Sequence, residues 1–363
     1  MSSNGQQHPA LMAEQAAQDR LDNCLVEVRS AGHMGRGIFA AKDIPAGTRI
    51  LSEMPLIMVP GNPWRGTLAG NIAAFCEVAR QTAPNVFAIL DTLSSDESVE
   101  LDAQTTEIVQ NWFKENYPKA SEFVLDYYVP KYSRLFSVYQ RYAVRLRQED
   151  AGGVFDQYSL INHSCSPNAH AFYDHTKERH QVHLTRAVKA DDQIFVSYNR
   201  FQALPRAERQ AEHRLKGHHF VCDCTLCTSE EAEVIMQRVF VSYISLSNFL
   251  VKEGVLPGDI NSFFPTPNAN TDALAIAEEL VGLFQHPSVG LDGADLKVTL
   301  HVCSLVNRRL GNVKAAATYA RQELALQVRI WGFEAENFLF ENDAAPWLHK
   351  IEKELFQMKA DGL

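Results

Sequence analysis

Three cysteines stand at Cys222, Cys224 and Cys227, spaced Cys-x-Cys-x-x-Cys. A loop that short lets all three sulfurs turn toward one point, and thiolates gathered in this way bind zinc. Zinc closes a structural site with four ligands, so one more must arrive from elsewhere. His218, His219, Cys165, Cys24, Cys76 and Cys303 are the candidates, and spacing does not choose among them. Cys165 sits in a polar turn, Asn162-His163-Ser164-Cys165-Ser166-Pro167-Asn168. Cys24, Cys76 and Cys303 lie in apolar stretches, where a buried free thiol is the ordinary use of cysteine. A closed four-sulfur site leaves no position for water, so such a metal holds the fold and does no chemistry. A cluster of this kind among seven cysteines points to a reducing compartment, cytoplasmic and/or nuclear, and not to a disulfide framework.

The elements that must carry these residues alternate in type. Up to about Asp22 the chain is polar and reads as disordered. From 23 to 60 the pattern is strand-like, with alternation in Leu25 to Val28, a glycine-rich turn from Gly32 to Gly37, a strand Gly37 to Ala40 and a turn Ile44 to Gly47. From 61 to 147 apolar residues recur at helical spacing, in Ile72 to Ala79 and Ile108 to Tyr117, around a polar linker Ser94 to Glu100. Strands return over 148 to 200, in Gln181 to Leu184 and Gln193 to Tyr198. The cysteine segment fills 201 to 229, and residues 230 to 363 read as helical. There Val234 to Val251 is an amphipathic helix and not a membrane span, because Gln237, Arg238 and several serines interrupt it. Leu310 to Val328 resembles one helix pair of a repeat array.

The net charge of −10 excludes sequence-independent nucleic-acid binding, which needs a basic surface. It suits solubility, and it also suits a basic protein substrate. No signal peptide is visible in the polar start.

Several separated motifs line up with one family. Gly35-Arg36-Gly37 with Ala40-Ala41-Lys42-Asp43-Ile44-Pro45-Ala46-Gly47 resembles the opening of SET domains, and Asn162 to Asn168 resembles their most specific signature. Val188 to Tyr198 is similar to the segment that follows. Leu204 to Gln210, running into Phe220-Val221-Cys222-Asp223-Cys224-Thr225-Leu226-Cys227, resembles the post-SET zinc segment of SMYD-type proteins and their fungal relatives. The resemblance implies an α+β fold: a SET β-clip core with a helical insertion, a post-SET zinc segment and a C-terminal helical domain. It implies S-adenosylmethionine as cofactor, with the methionine end against Gly35, Arg36 and Gly37. Asn162 and the His163 backbone would hold the amino-acid and adenine ends, with Phe220 stacked on the adenine. The Tyr198 hydroxyl would stand where the methyl is transferred. Cys165 would be the fourth ligand to zinc, beside Cys222, Cys224 and Cys227.

Activity implied in this way is N-methylation of a protein lysine, histone or non-histone, by a monomer that binds neither nucleic acid nor membrane directly. Three departures stand out. The interval Gly61 to Arg147 has a single cysteine, Cys76, too few for the zinc-binding MYND module that SMYD-type proteins insert. His218 occupies a substrate-channel position where the family has an aromatic residue. Tyr139 to Tyr142 does not match the family's asparagine-containing cofactor contact. These departures motivate two further readings, a SET fold turned to a small-molecule substrate and a scaffold that has lost turnover.

Overall fold

The computed structural model describes residues 24–62, 65–93, 101–146, 150–199, 201–218, 220–256, 258–332 and 344–360. The polar start, the linker Ser94 to Glu100 and Arg147 lie outside the described residues.

Strands β1 (Val26–Ser30), β2 (Arg36–Ala40), β3 (Arg49–Glu53) and β4 (Ile57–Pro60) come first. Four helices follow, α1 (Leu68–Ala79), α2 (Pro84–Leu93), α3 (Ala103–Asn116) and α4 (Glu122–Tyr142). The chain then returns to strands: β5 (Val144–Leu146), β6 (Ala151–Val154), β7 (Asn162–His163), β8 (Ala169–Asp174), β9 (Arg179–Leu184) and β10 (Gln193–Val196). Helices α5 (Arg206–Leu215), α6 (Thr225–Thr228), α7 (Glu230–Lys252), α8 (Asn270–Phe284), α9 (Ala294–Arg309), α10 (Val313–Trp331) and α11 (Ala344–Ala360) complete it.

Small sheets suit this pattern. One has the order β1-β2-β10-β7, another β3-β9-β8 and a third β4-β6-β5. In the first, β2 pairs locally with β1, Val28 opposite Ile38, and distantly with β10, Ile38 opposite Ile194. Strand β7 joins β10 in parallel, with Asn162 beside Phe195 and His163 beside Val196. That pairing brings Asn162 next to β2, where its side-chain amide donates to the Arg36 carbonyl at 2.9 Å.

The helices over 68–142 bury their apolar stripes against β4 and β6 in a core of their own, built on Phe75, Phe136 and Tyr139. Capping follows the rules: Thr67 accepts from the Gly70 amide and Asp102 from the Thr105 amide. Helix α7 is long and apolar enough to cross a membrane, by length and composition. It buries Met236, Val239, Leu246, Phe249 and Leu250 in the large core. Leu310 to Val328 is not a helix pair. Gly311, with φ of 82°, ends α9, and α10 then runs unbroken from Val313 to Trp331. A left-handed residue here is a helix stop, so the pair consists of α9 and α10, which pack on each other along their length.

Candidate functional site

The four cysteines converge from two places in the chain. Cys165 follows β7 in the turn before β8, Cys222 and Cys224 precede the one-turn helix α6, and Cys227 lies within it. Their sulfurs all lie within 4.8 Å of one another. Cys165 Sγ stands 3.9 Å from Cys222 Sγ and 3.5 Å from Cys227 Sγ. Sulfurs around a tetrahedral zinc with bonds of 2.3 Å are about 3.8 Å apart, so the donor set fits that ion. Of the other cysteine candidates, Cys24 is exposed, and Cys76 and Cys303, both buried, stand outside this group of sulfurs.

Around the sulfurs stand groups that stabilise negative charge. Arg209, fully buried on α5, directs Nη2 to Cys227 Sγ at 3.5 Å. Asn199 Nδ2 lies 3.8 Å from Cys165 Sγ. His163 Nδ1 accepts the Tyr198 amide at 2.9 Å. The proton is therefore on Nε2, which faces Cys165 Sγ at 3.2 Å and donates to it. Burial holds this imidazole well below its ordinary range, so it is neutral. His163, Cys165 and His213 form a second close trio. With Nδ1 of His163 already engaged by Tyr198, the four sulfurs are the better zinc site.

Tyr198 follows β10 directly. Its hydroxyl donates to the Ile161 carbonyl at 2.7 Å, and burial pushes its phenol well above the usual range. The His163 ring lies 5.2 Å away and the His218 ring stacks on it at 5.1 Å. Phe220 is 6.0 Å from His163 and 5.8 Å from His218, with 41% of its surface exposed. A half-open aromatic face is the geometry that stacking on a ligand base needs. Gly35 turns with φ of 74°, and a Cβ there would point into open space. At Gly37 a Cβ would sit 2.5 Å from Gln193 Nε2 and 3.0 Å from Asn162 Nδ2, so any larger residue would push these two side chains aside and disturb the Asn162 amide. Gly35, Arg36, Gly37, Asn162, His163, Tyr198, His218 and Phe220 thus form one continuous neighbourhood. It offers backbone and amide groups at one end and an aromatic face at the other, which fits the polar and planar ends of S-adenosylmethionine.

A cavity of about 470 Å³ opens beside it. Its lining runs from exposed Leu215 past Tyr198 and His218 to buried His180. Tyr142, at the end of α4, and Tyr158 add two more rings. The stretch Tyr139 to Tyr142, which matched no motif, thus supplies wall residues.

Sequence reasoning missed several of these. Arg209 and His213 left no signal beyond a polar helix. Glu53 accepts the Gln157 and Tyr158 amides at 2.9 and 3.1 Å and so sets the turn that presents Tyr158. Burial outweighs these two donors and raises its carboxyl to about 7.

Residues 35–199 match the family model described as SET domain. The protein named Histone-lysine N-methyltransferase set5, of Schizosaccharomyces pombe, is 25% identical over 201 residues, 55% of this chain and 49% of that one. N-lysine methyltransferase SMYD2-A of Danio rerio is 32% identical over 80 residues, 22% of this chain and 18% of its own length. The chain thus spans about half the length of the first of these relatives and a smaller share of the second. The solved structure of Rubisco LSMT bound to AdoMet aligns over 98% of this chain and 93% of that one, at 16% identity and a TM-score of 0.37, too low to carry an argument. The glycine turn, the Asn162 to Asn168 signature and the strand that leads to Tyr198 all fall within the matched span or at its edge, and the chain is an α+β protein with a SET domain at residues 35–199.

Proposed function

We propose that this chain is an S-adenosylmethionine-dependent N-methyltransferase acting on lysine side chains of a protein, histone or non-histone. The observation that carries the reading is the position of Tyr198. Its hydroxyl holds the Ile161 carbonyl, next to the Asn162–His163 strand that bonds Arg36, and its ring packs against His163 and His218 on the wall of an open cavity. The names of the two relatives, both lysine methyltransferases, agree with it.

S-adenosylmethionine, when bound, supplies a methyl group activated by the sulfonium charge. Gly35, Arg36, Gly37, Asn162, the His163 backbone and Phe220 would hold it. Cys165, Cys222, Cys224 and Cys227 would hold zinc and keep Phe220 in place. The chain's remaining work is on the acceptor. A lysine amine, with an ordinary pKa near 10.4, must be uncharged to attack. Tyr158, Tyr198 and His218 strip water from it, which favours the neutral form. Tyr198, locked on Ile161, orients and polarises and does not act as a base. Holding the reacting atoms in line is the main source of rate.

Labelled methyl transfer into protein, from full-length chain and a lysate, tests this. Tyr198→Phe should reduce transfer by about a hundredfold or more. Absence of any labelled protein would count against the reading. A second reading, a small amine as acceptor, draws on the cavity's volume, which falls within the range of small-molecule sites. Label recovered only in small molecules would favour it. We also infer a monomer in the cytoplasm and/or nucleus, in keeping with seven cysteines that form no disulfide.

A further inference from the structure

His180 begins no motif and yet stands out chemically. Only 1% of its surface is exposed, and among the described residues neither ring nitrogen has a hydrogen-bond partner. Its ring is stacked on Phe155 at 4.6 Å and edge-on to Tyr158 at 4.3 Å, which fixes its plane. It lines the same cavity as Tyr198. Asn199, also buried and also lining the cavity, has an Oδ1 with no partner among the described residues. Buried polar groups are paired in almost all folds, and the exceptions need a reason.

The neutral imidazole leaves one N–H and one bare nitrogen unpartnered, and Asn199 Oδ1 is a second acceptor, so what the two side chains share is a need for a donor of N–H or O–H. The charges narrow it further. Arg65, Arg141, Arg145 and Lys216 line the cavity against one carboxylate, Glu212. A cation is disfavoured among them. Burial, then neighbouring His170, push the imidazole down to about 3, so it is uncharged at working pH.

We propose that His180 is a substrate-contacting residue of this cavity, its bare ring nitrogen accepting an N–H from an uncharged amine, with Asn199 Oδ1 as a second acceptor. An amine that donates to these groups keeps its lone pair free for attack. The assignment rests on the methyltransferase reading for the identity of that amine, the ε-amine of the acceptor lysine. The cationic lining disfavours the protonated acceptor, and His180 with Asn199 orients the neutral one.

The test uses full-length protein labelled with ¹⁵N in its histidines, with His180→Phe identifying the His180 signal. It is titrated at about pH 9, where a few per cent of lysine side chains are neutral, with Nα-acetyl-lysine methylamide and separately with the norleucine analogue, which lacks the amine. The lysine probe should shift the His180 nitrogen signal and norleucine should leave it in place. An unmoved signal, or equal shifts with both, overturns the proposal. In methyl transfer to a lysine peptide, His180→Phe should lower kcat/KM about tenfold, the worth of one hydrogen bond, with His180→Gln recovering part. A shift with lysine but no transfer in any assay would sink the enzymatic reading and leave the contact standing. Transfer with an unmoved His180 signal would do the reverse.

Discussion

Glu53 shows how one buried side chain can tie stability to pH. Its carboxyl is raised to about 7 in the fold, from 4.5, because burial penalises the charge. Between those values the folded chain binds more protons than the unfolded one. The contribution is therefore fully present below about pH 4.5 and is lost as pH rises through about 7, at most about 3 kcal/mol. Glu53→Gln should flatten this slope, as measured by urea unfolding at a series of pH values. An unchanged slope would show that other groups set it. At this scale legibility was uneven. Cys222, Cys224 and Cys227 announce themselves by spacing, and Asn162 and Tyr198 by motif. His180 and Glu53 do not, because alternation marks a strand without saying which face the other sheets will cover. Strand β9 is buried at all but its first position, so its polar residues carry no pattern that separates a working imidazole from a packed one.

Helices and loops show the same limit at larger size. The zinc segment is short, and its order depends on four side chains and on Arg209 behind them. Cys227→Ser should lower bound zinc well below one ion per chain by metal analysis. It should also open the stretch around Phe220 and Cys222 to proteolysis, while the helices over 68–142, with their own core, stay intact. Retention of a full zinc equivalent would argue against this ligand set. Farther along, α9 and α10 enclose a charge cluster. Lys297 Nζ lies 3.4 Å from Glu323 Oε1, His301 Nδ1 lies 2.9 Å from Oε2, and Lys297 sits over the Trp331 ring. Glu323→Ala leaves a buried lysine without its counter-charge and should cost about 3–5 kcal/mol in chemical denaturation, whereas Glu323→Gln should cost less. The apolar pattern of Leu310 to Val328 showed helix correctly. It holds one helix and not two, because the stop at Gly311 lies at the very start of the segment and the partner helix is the one before it.

Across the whole molecule, one hydrophobic cluster contains Cys165, Cys222, Leu226 and Cys227 together with Leu246, Leu280, Leu300 and Trp331. The cysteine segment from Cys222 to Cys227 and the C-terminal helices therefore share a core. Asp295 on α9 adds a polar tie, accepting the Gln202 and Ala203 amides just beyond Tyr198. A chain ended after Thr228 would leave the apolar surface of that cluster bare. It should bind a hydrophobic dye and lose methyl transfer, and a soluble, active truncation would refute the shared core. No local motif predicts such sharing, since it depends on how helices far apart in sequence stack.

The pairing of β2 with β10 has a consequence for how the chain is made. Strand β2 finds β1 at once, but its other edge waits for Gln193 and Ile194, more than a hundred and fifty residues later. At ribosomal rates of about 5–20 residues per second that wait lasts roughly 8 to 30 seconds. An open strand edge is an invitation to pair with the wrong chain. The helices over 68–142 emerge in that interval and can collapse on their own apolar faces, so the nascent chain buries one of its cores before the sheet that carries Asn162 and His163 can close.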